Sequence, residues 1–116
     1  AADRNVISSN DGAGVYVDSV SGTIIQGNYI GLNAAGTAAI GQGNLDDGIA
    51  LVNATNTLVG GTSAAARNVI SGNSYAPNLD DGLWISGGSN HTIQRGCTRA
   101  CRTSGSQNCR RTGRQC

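Results

Sequence analysis

The 116-residue sequence predicts an all-β solenoid of about three turns, each built from three short strands that pair in parallel with the next turn. Two observations predict it. The segment at 5–10 returns at 68–73, and the segment at 46–49 returns at 80–83. The apolar segments alternate with a period of two and are rich in Val and Ile, and no stretch has sustained helical periodicity.

The first strand of each turn begins with Asn and carries Ile two positions later, at 5–7, 28–30 and 68–70. Period-two alternation places the three Ile side chains in one inward column, Ile7/Ile30/Ile70. The three amides are expected to form an inward ladder in which each side chain hydrogen-bonds to the turn above or below, Asn5/Asn28/Asn68.

The second strand of each turn follows a glycine, and the third ends in an aliphatic residue. The glycines Gly14, Gly48 and Gly82 are 34 residues apart. The expected inward columns are Val15/Ile49/Leu83, Val17/Leu51/Ile85 and Ile25/Val59/Ile93. Because the strands have three or four residues and almost no hairpin signals join them, parallel stacking between turns is favoured over a meander. The predicted fold is a right-handed parallel β-helix.

Three segments carry a family resemblance: TIIQGNYIGLNAAGTAAIG, NTLVGGTSAAARNVISGN and DGIALVNATN. They resemble the right-handed β-helix repeats of large bacterial surface and secreted proteins, which are relatives of the pectate-lyase-like superfamily. The resemblance covers about residues 3–94. It implies the fold and a secreted or cell-surface location. It does not imply one activity, because such repeats occur in lyases, hydrolases, epimerases and adhesins.

Charge divides the chain at residue 95. All acidic residues are Asp and all basic residues are Arg. Residues 1–94 hold seven Asp and two Arg, a net charge of −5, whereas residues 95–116 hold six Arg and no acid, a net charge of +6. The repeat pattern also ends here, so the sequence predicts a β-helix over 1–94 and a non-repeat tail over 95–116.

The tail contains all four cysteines, Cys97, Cys101, Cys109 and Cys116. It is interpreted as a disulfide-stapled cap on the solenoid, as an Arg-rich arm, or as an artefactual extension from a shifted reading frame or cloning junction. A four-cysteine zinc site is disfavoured because the paired two-residue spacings are absent. Nucleic-acid binding is also disfavoured, because no aromatic residue interrupts the basic run.

Two acidic pairs are the candidate catalytic or metal-binding residues, Asp46/Asp47 and Asp80/Asp81. They occupy equivalent positions, so they are expected to stack about 5 Å apart on adjacent turns. Such a cluster favours a shared proton or a bound calcium ion. The alternative is that an Asp before Gly stabilises the turn into the strand through backbone contacts.

Period-two alternation predicts that the side chains of Tyr16 and Trp84 point outward, on the same side as Asp46 and Asp80. Aromatic rings beside carboxylates are typical of a sugar-binding surface. The sequence therefore predicts a structural or carbohydrate-binding module. The rival is a polysaccharide hydrolase or lyase that uses the Asp cluster. No cofactor beyond calcium and no membrane contact is expected. End-to-end self-association through open strand edges stays an alternative.

Overall fold

A computed structural model of the chain describes residues 3–39, 43–73 and 82–94, together with the strand backbone at 97–98, 101–104 and 110–112. These residues contain β-strands and no helix, and the strands form three parallel sheets. The predicted all-β class is confirmed. Three parallel sheets of two- to four-residue strands are compatible with a parallel β-helix.

The strands form rows, each of which contributes one strand to every sheet. Row one contains β1 (Val6–Ile7), β2 (Val15–Asp18) and β3 (Ile24–Ile25). Row two contains β4 (Tyr29–Ile30), β5 (Ile49–Val52) and β6 (Leu58–Gly60). Row three contains β7 (Val69–Ile70), β8 (Leu83–Ser86) and β9 (Thr92–Gln94). In every sheet, the strand of row two lies between those of rows one and three.

A fourth row of strand backbone follows Gln94 in the chain. It contains β10 (Cys97–Thr98), β11 (Cys101–Ser104) and β12 (Arg110–Thr112), which pair in parallel with β7, β8 and β9. Strand pairing therefore continues past the residue at which the apolar pattern ends. The division into a solenoid at 1–94 and a separate tail at 95–116 stays a prediction.

The four predicted aliphatic columns are confirmed by the strand register. Ile7 pairs with Ile30 and Ile30 with Ile70, and the other three columns align in the same way. Together they form one hydrophobic core. Rows two and three, which each have a row on either side, are buried most deeply: Ile49, Leu51, Leu83 and Ile85 are 0% exposed, whereas Val17 of row one is 7% exposed.

The predicted amide ladder is present. The Asn5 side-chain amide donates to Oδ1 of Asn28 at 2.9 Å, and that of Asn28 donates to Oδ1 of Asn68 at 3.1 Å. The Asn68 amide then donates to the carbonyl of Ile25 at 2.7 Å. These bonds join three rows. Asn28 and Asn68 are buried, so an unpaired amide there would be costly, whereas Asn5 is exposed.

A second ladder, which the sequence analysis did not predict, follows the first strand of each row. Asn10 donates to Oδ1 of Asn44, and Asn44 donates to Oδ1 of Asn73, both at 2.7 Å. The backbone amides of Asn10 and Asn44 donate to the same oxygens. Asn44 is 0% exposed. The segment before it also makes an antiparallel bridge, Leu32 to Ala39.

The corners between strands use left-handed backbone at equivalent positions in each row. One corner has positive φ at Ser19, Asn53 and Gly87, and another has positive φ at Gly22, Asn56 and Asn90. Only Gly, Asn and a few other small polar residues adopt this conformation at low cost. The abundance of Gly, Asn and Ser in this chain follows from the corners.

The glycine before the second strand is required by close packing in rows one and two, at Gly14 and Gly48. A Cβ on Gly48 would meet the Ile70 side chain and the carbonyl oxygen of Gly82, the latter at 2.6 Å. We expect Gly48→Ala to lower the free energy of unfolding by about 1–3 kcal/mol, the usual cost of overpacking. The measurement is urea unfolding. Gly12→Ala is the matched control, since no atom lies within 4 Å of its added Cβ. Equal midpoints for the two variants would contradict this packing.

Candidate functional site

The second sheet contains β2, β5, β8 and β11. Its outward face carries two of the predicted ligand-binding residues. Tyr16 pairs with Ala50, and Ala50 pairs with Trp84, so the three residues form one outward column across rows one to three. Tyr16 is 61% exposed and Trp84 is half-buried, whereas Ala50 between them is only 2% exposed. At the usual strand spacing, the two aromatic residues are roughly 9–10 Å apart along the stack.

Asp18 adds a carboxylate to the same face, two residues after Tyr16 on β2. Its register partners are Val52 and, beyond that, Ser86, which form the second outward column. Asp18 is exposed, and one of its carboxylate oxygens accepts a 2.6 Å hydrogen bond from the Ser19 hydroxyl. Sequence reasoning missed Asp18, although period two places it on the face of Tyr16.

The first acidic pair lies directly before β5 and is divided between surface and interior. Asp46 is exposed, whereas Asp47 is 8% exposed and its carbonyl accepts a 3.1 Å hydrogen bond from the Gly14 amide. Asp80 and Asp81 lie outside the described residues. The stacking of four carboxylates therefore stays a prediction.

Tyr29, on β4, packs against other residues of this chain. The Arg4 guanidinium lies 4.1 Å from the centre of its ring, and Arg4 Nε donates to the carbonyl of Gly27 at 3.0 Å. Gly36 of the row-two loop approaches the ring so closely that an added Cβ would lie 2.6 Å from a ring carbon. Tyr29 is packed by this chain's own residues, whereas the Tyr16 side chain is open to solvent.

The described residues contain no group of three or more His, Cys, Asp or Glu side chains that could hold a metal ion. The calcium prediction depends partly on Asp80 and Asp81, which lie outside that part of the chain, and it stays untested. For the cysteines, the described structure is limited to the backbone of Cys97 and Cys101 in strands. The pairing among the four disulfide candidates, including Cys109 and Cys116, also stays a prediction.

No family model, no curated protein and no solved structure matches this chain. In the described part of the chain, no helix has the length and apolar character needed to cross a membrane.

A buried polar residue lies directly before the third strand in rows two and three. Thr57 and His91 occupy equivalent positions and are 1% and 3% exposed. Neither His91 ring nitrogen nor the Thr57 hydroxyl has a hydrogen-bond partner within the described structure. Burial lowers the pKa of His91 below its ordinary value of 6.5, because the charged imidazolium loses hydration.

This lowered pKa predicts that the protein loses stability in mild acid. Below pH 6.5 the unfolded chain binds a proton at His91 more readily than the folded chain does. The free energy of unfolding should therefore stay constant above pH 6.5. It should fall as the pH drops from 6.5 through the lowered pKa of the folded state. Urea unfolding between about pH 7.5 and pH 5 measures the slope.

His91→Thr is the matched variant, since Thr57 occupies the same position in row two. It should flatten the pH dependence, because His91 is the only histidine in the chain. An unchanged slope in this variant would contradict the assignment.

Proposed function

We propose that this chain is a carbohydrate-binding module of a secreted or cell-surface protein, built on a right-handed parallel β-helix of about three turns. The segments that resemble the bacterial repeats of the pectate-lyase-like superfamily support the handedness, the turn count and the location. The binding function rests on one observation, the outward column of Tyr16, Ala50 and Trp84.

The chemistry of this column suits a sugar chain. The C–H face of a pyranose ring stacks on an aromatic ring, while its hydroxyl groups hydrogen-bond to polar groups beside that ring. Tyr16 and Trp84 supply two rings in one outward column, with the small, buried side chain of Ala50 between them. Asp18 supplies acceptor oxygens on the same face.

The spacing favours an extended polysaccharide over a single sugar. Tyr16 and Trp84 are separated by two strand spacings, or roughly 9–10 Å, which is comparable to the length of two linked pyranose rings. A chain that lies along the stack would contact both rings at once. A monosaccharide would contact only one ring and would bind more weakly, because binding energy at protein surfaces concentrates in a few aromatic anchors.

Trp84 is the only tryptophan in the chain, so its fluorescence reports on the face directly. Titration with a panel of soluble polysaccharides, with and without calcium, should shift this emission for at least one of them. Tyr16→Ala should weaken that binding by about five- to thirty-fold, the effect of losing 1–2 kcal/mol of aromatic contact. Asp18→Asn should weaken it less.

Ile24→Ala is the matched control for this experiment. Ile24 is 64% exposed, but it lies on β3, which belongs to a different sheet from the proposed face. Its affinity should equal that of the unchanged chain. The absence of any shift across the panel, or an equal loss in Ile24→Ala and Tyr16→Ala, would reject the proposal.

A polysaccharide hydrolase or lyase is the alternative, and the exposed Asp46 beside the buried Asp47 favours it. Paired carboxylates in unlike environments are suited to acid and base roles. Release of reducing or unsaturated ends during the same titrations would identify this activity. Activity that survives chelation but is lost in Asp47→Asn would indicate a hydrolase, whereas loss on chelation would indicate calcium.

A further inference from the structure

Row one forms one edge of all three sheets. Its strands β1, β2 and β3 are each the terminal strand of their sheet, and β10, β11 and β12 form the opposite edge. The outer edge of row one therefore presents backbone N–H and C=O groups that pair with no other strand in the described part of the chain. Such an edge is a template for another strand running in the same direction.

Apolar surface is concentrated at this end. Five large hydrophobic residues are exposed in the described part of the chain, and four of them belong to row one: Val6, Tyr16, Val20 and Ile24. The inward residues of row one are also less protected than their partners. Val17 is 7% exposed, whereas Leu51 and Ile85 of the same column are 0% exposed.

Both asparagine ladders end at row one with an acceptor. Asn5 and Asn10 each donate to the next row through the side-chain amide. Within the described structure, the Oδ1 atoms of these two residues accept no hydrogen bond, whereas the Oδ1 atoms of Asn28 and Asn44 do. The row-one end thus offers acceptors to any donor placed against it.

The charge of the two ends is complementary. Residues 3–25 hold Asp3, Asp11 and Asp18 against a single base, Arg4. The segment at 95–116, which contains the opposite edge strands, has six Arg and no acid. An Arg guanidinium has only donors, and it pairs well with carboxylates and amide oxygens.

We propose that the row-one end of one molecule binds the C-terminal end of a second copy, so that the sheets continue in parallel from chain to chain. The contact joins two different surfaces, so it does not close at two molecules. Head-to-tail contacts of this kind produce open linear assemblies. Because unlike charges drive the contact, salt should weaken it.

Sedimentation of the full chain over a dilution series, in a reducing agent that prevents disulfide links between chains, tests the proposal. The average mass should rise with concentration beyond two chains. It should fall towards one chain at about 1 M salt, where charges are screened within roughly 3 Å.

A pair of charge reversals locates the contact. Asp11→Arg should reduce the association at least several-fold, because Asp11 is exposed in row one. Asp46→Arg is the control, since it makes the same charge change at an exposed site in the loop before β5. A single-chain mass at every concentration, a dimer that does not grow, or equal effects of the two variants would overturn the proposal.

Discussion

The structure depends on two asparagine ladders that hold the rows in register. Asn28, Asn44 and Asn68 are at most 6% exposed, and their side-chain amides find partners in neighbouring rows. An unpaired buried amide costs about 1–3 kcal/mol. A slip of one residue between rows would break these bonds and would also turn every aliphatic side chain outward. The ladders and the aliphatic columns therefore select the same register.

The outward surface follows from this register. It aligns Tyr16 with Trp84 across two row spacings and places Asp18 on the same face. The row-one end follows from it as well, because a ladder that stops must leave an acceptor unused. The proposed sugar face and the proposed head-to-tail contact are thus separate consequences of the stacking, and each can fail without the other.

The columns of the second and third strands were predictable because equivalent residues of successive rows are 34 positions apart. The first ladder was predictable because Asn immediately precedes each first strand. The second ladder was not, since Asn10 and Asn73 follow their strands by three residues, whereas Asn44 follows Ile30 only after a long loop. The burial of His91 could not be predicted, because it follows Ser89 and Asn90 and such a polar run is typical of an exposed turn. Asp18 was not predicted because the equivalent positions in the other rows, Val52 and Ser86, are not acidic, so the repeat does not single it out.

The most direct test of the ladder account is the free energy of unfolding of Asn44→Ala, measured by urea titration. Asn44 makes hydrogen bonds to Asn10, Asn73 and the carbonyl of Ile7, so we expect a loss of about 2–4 kcal/mol. Asn10→Ala, at the exposed end of the same ladder, should lose less and keeps the test open if the first variant does not fold. Gln26→Ala, which removes one surface hydrogen bond to Gly60, should lose under about 1 kcal/mol. A loss in Asn44→Ala no greater than that in Gln26→Ala would contradict the account.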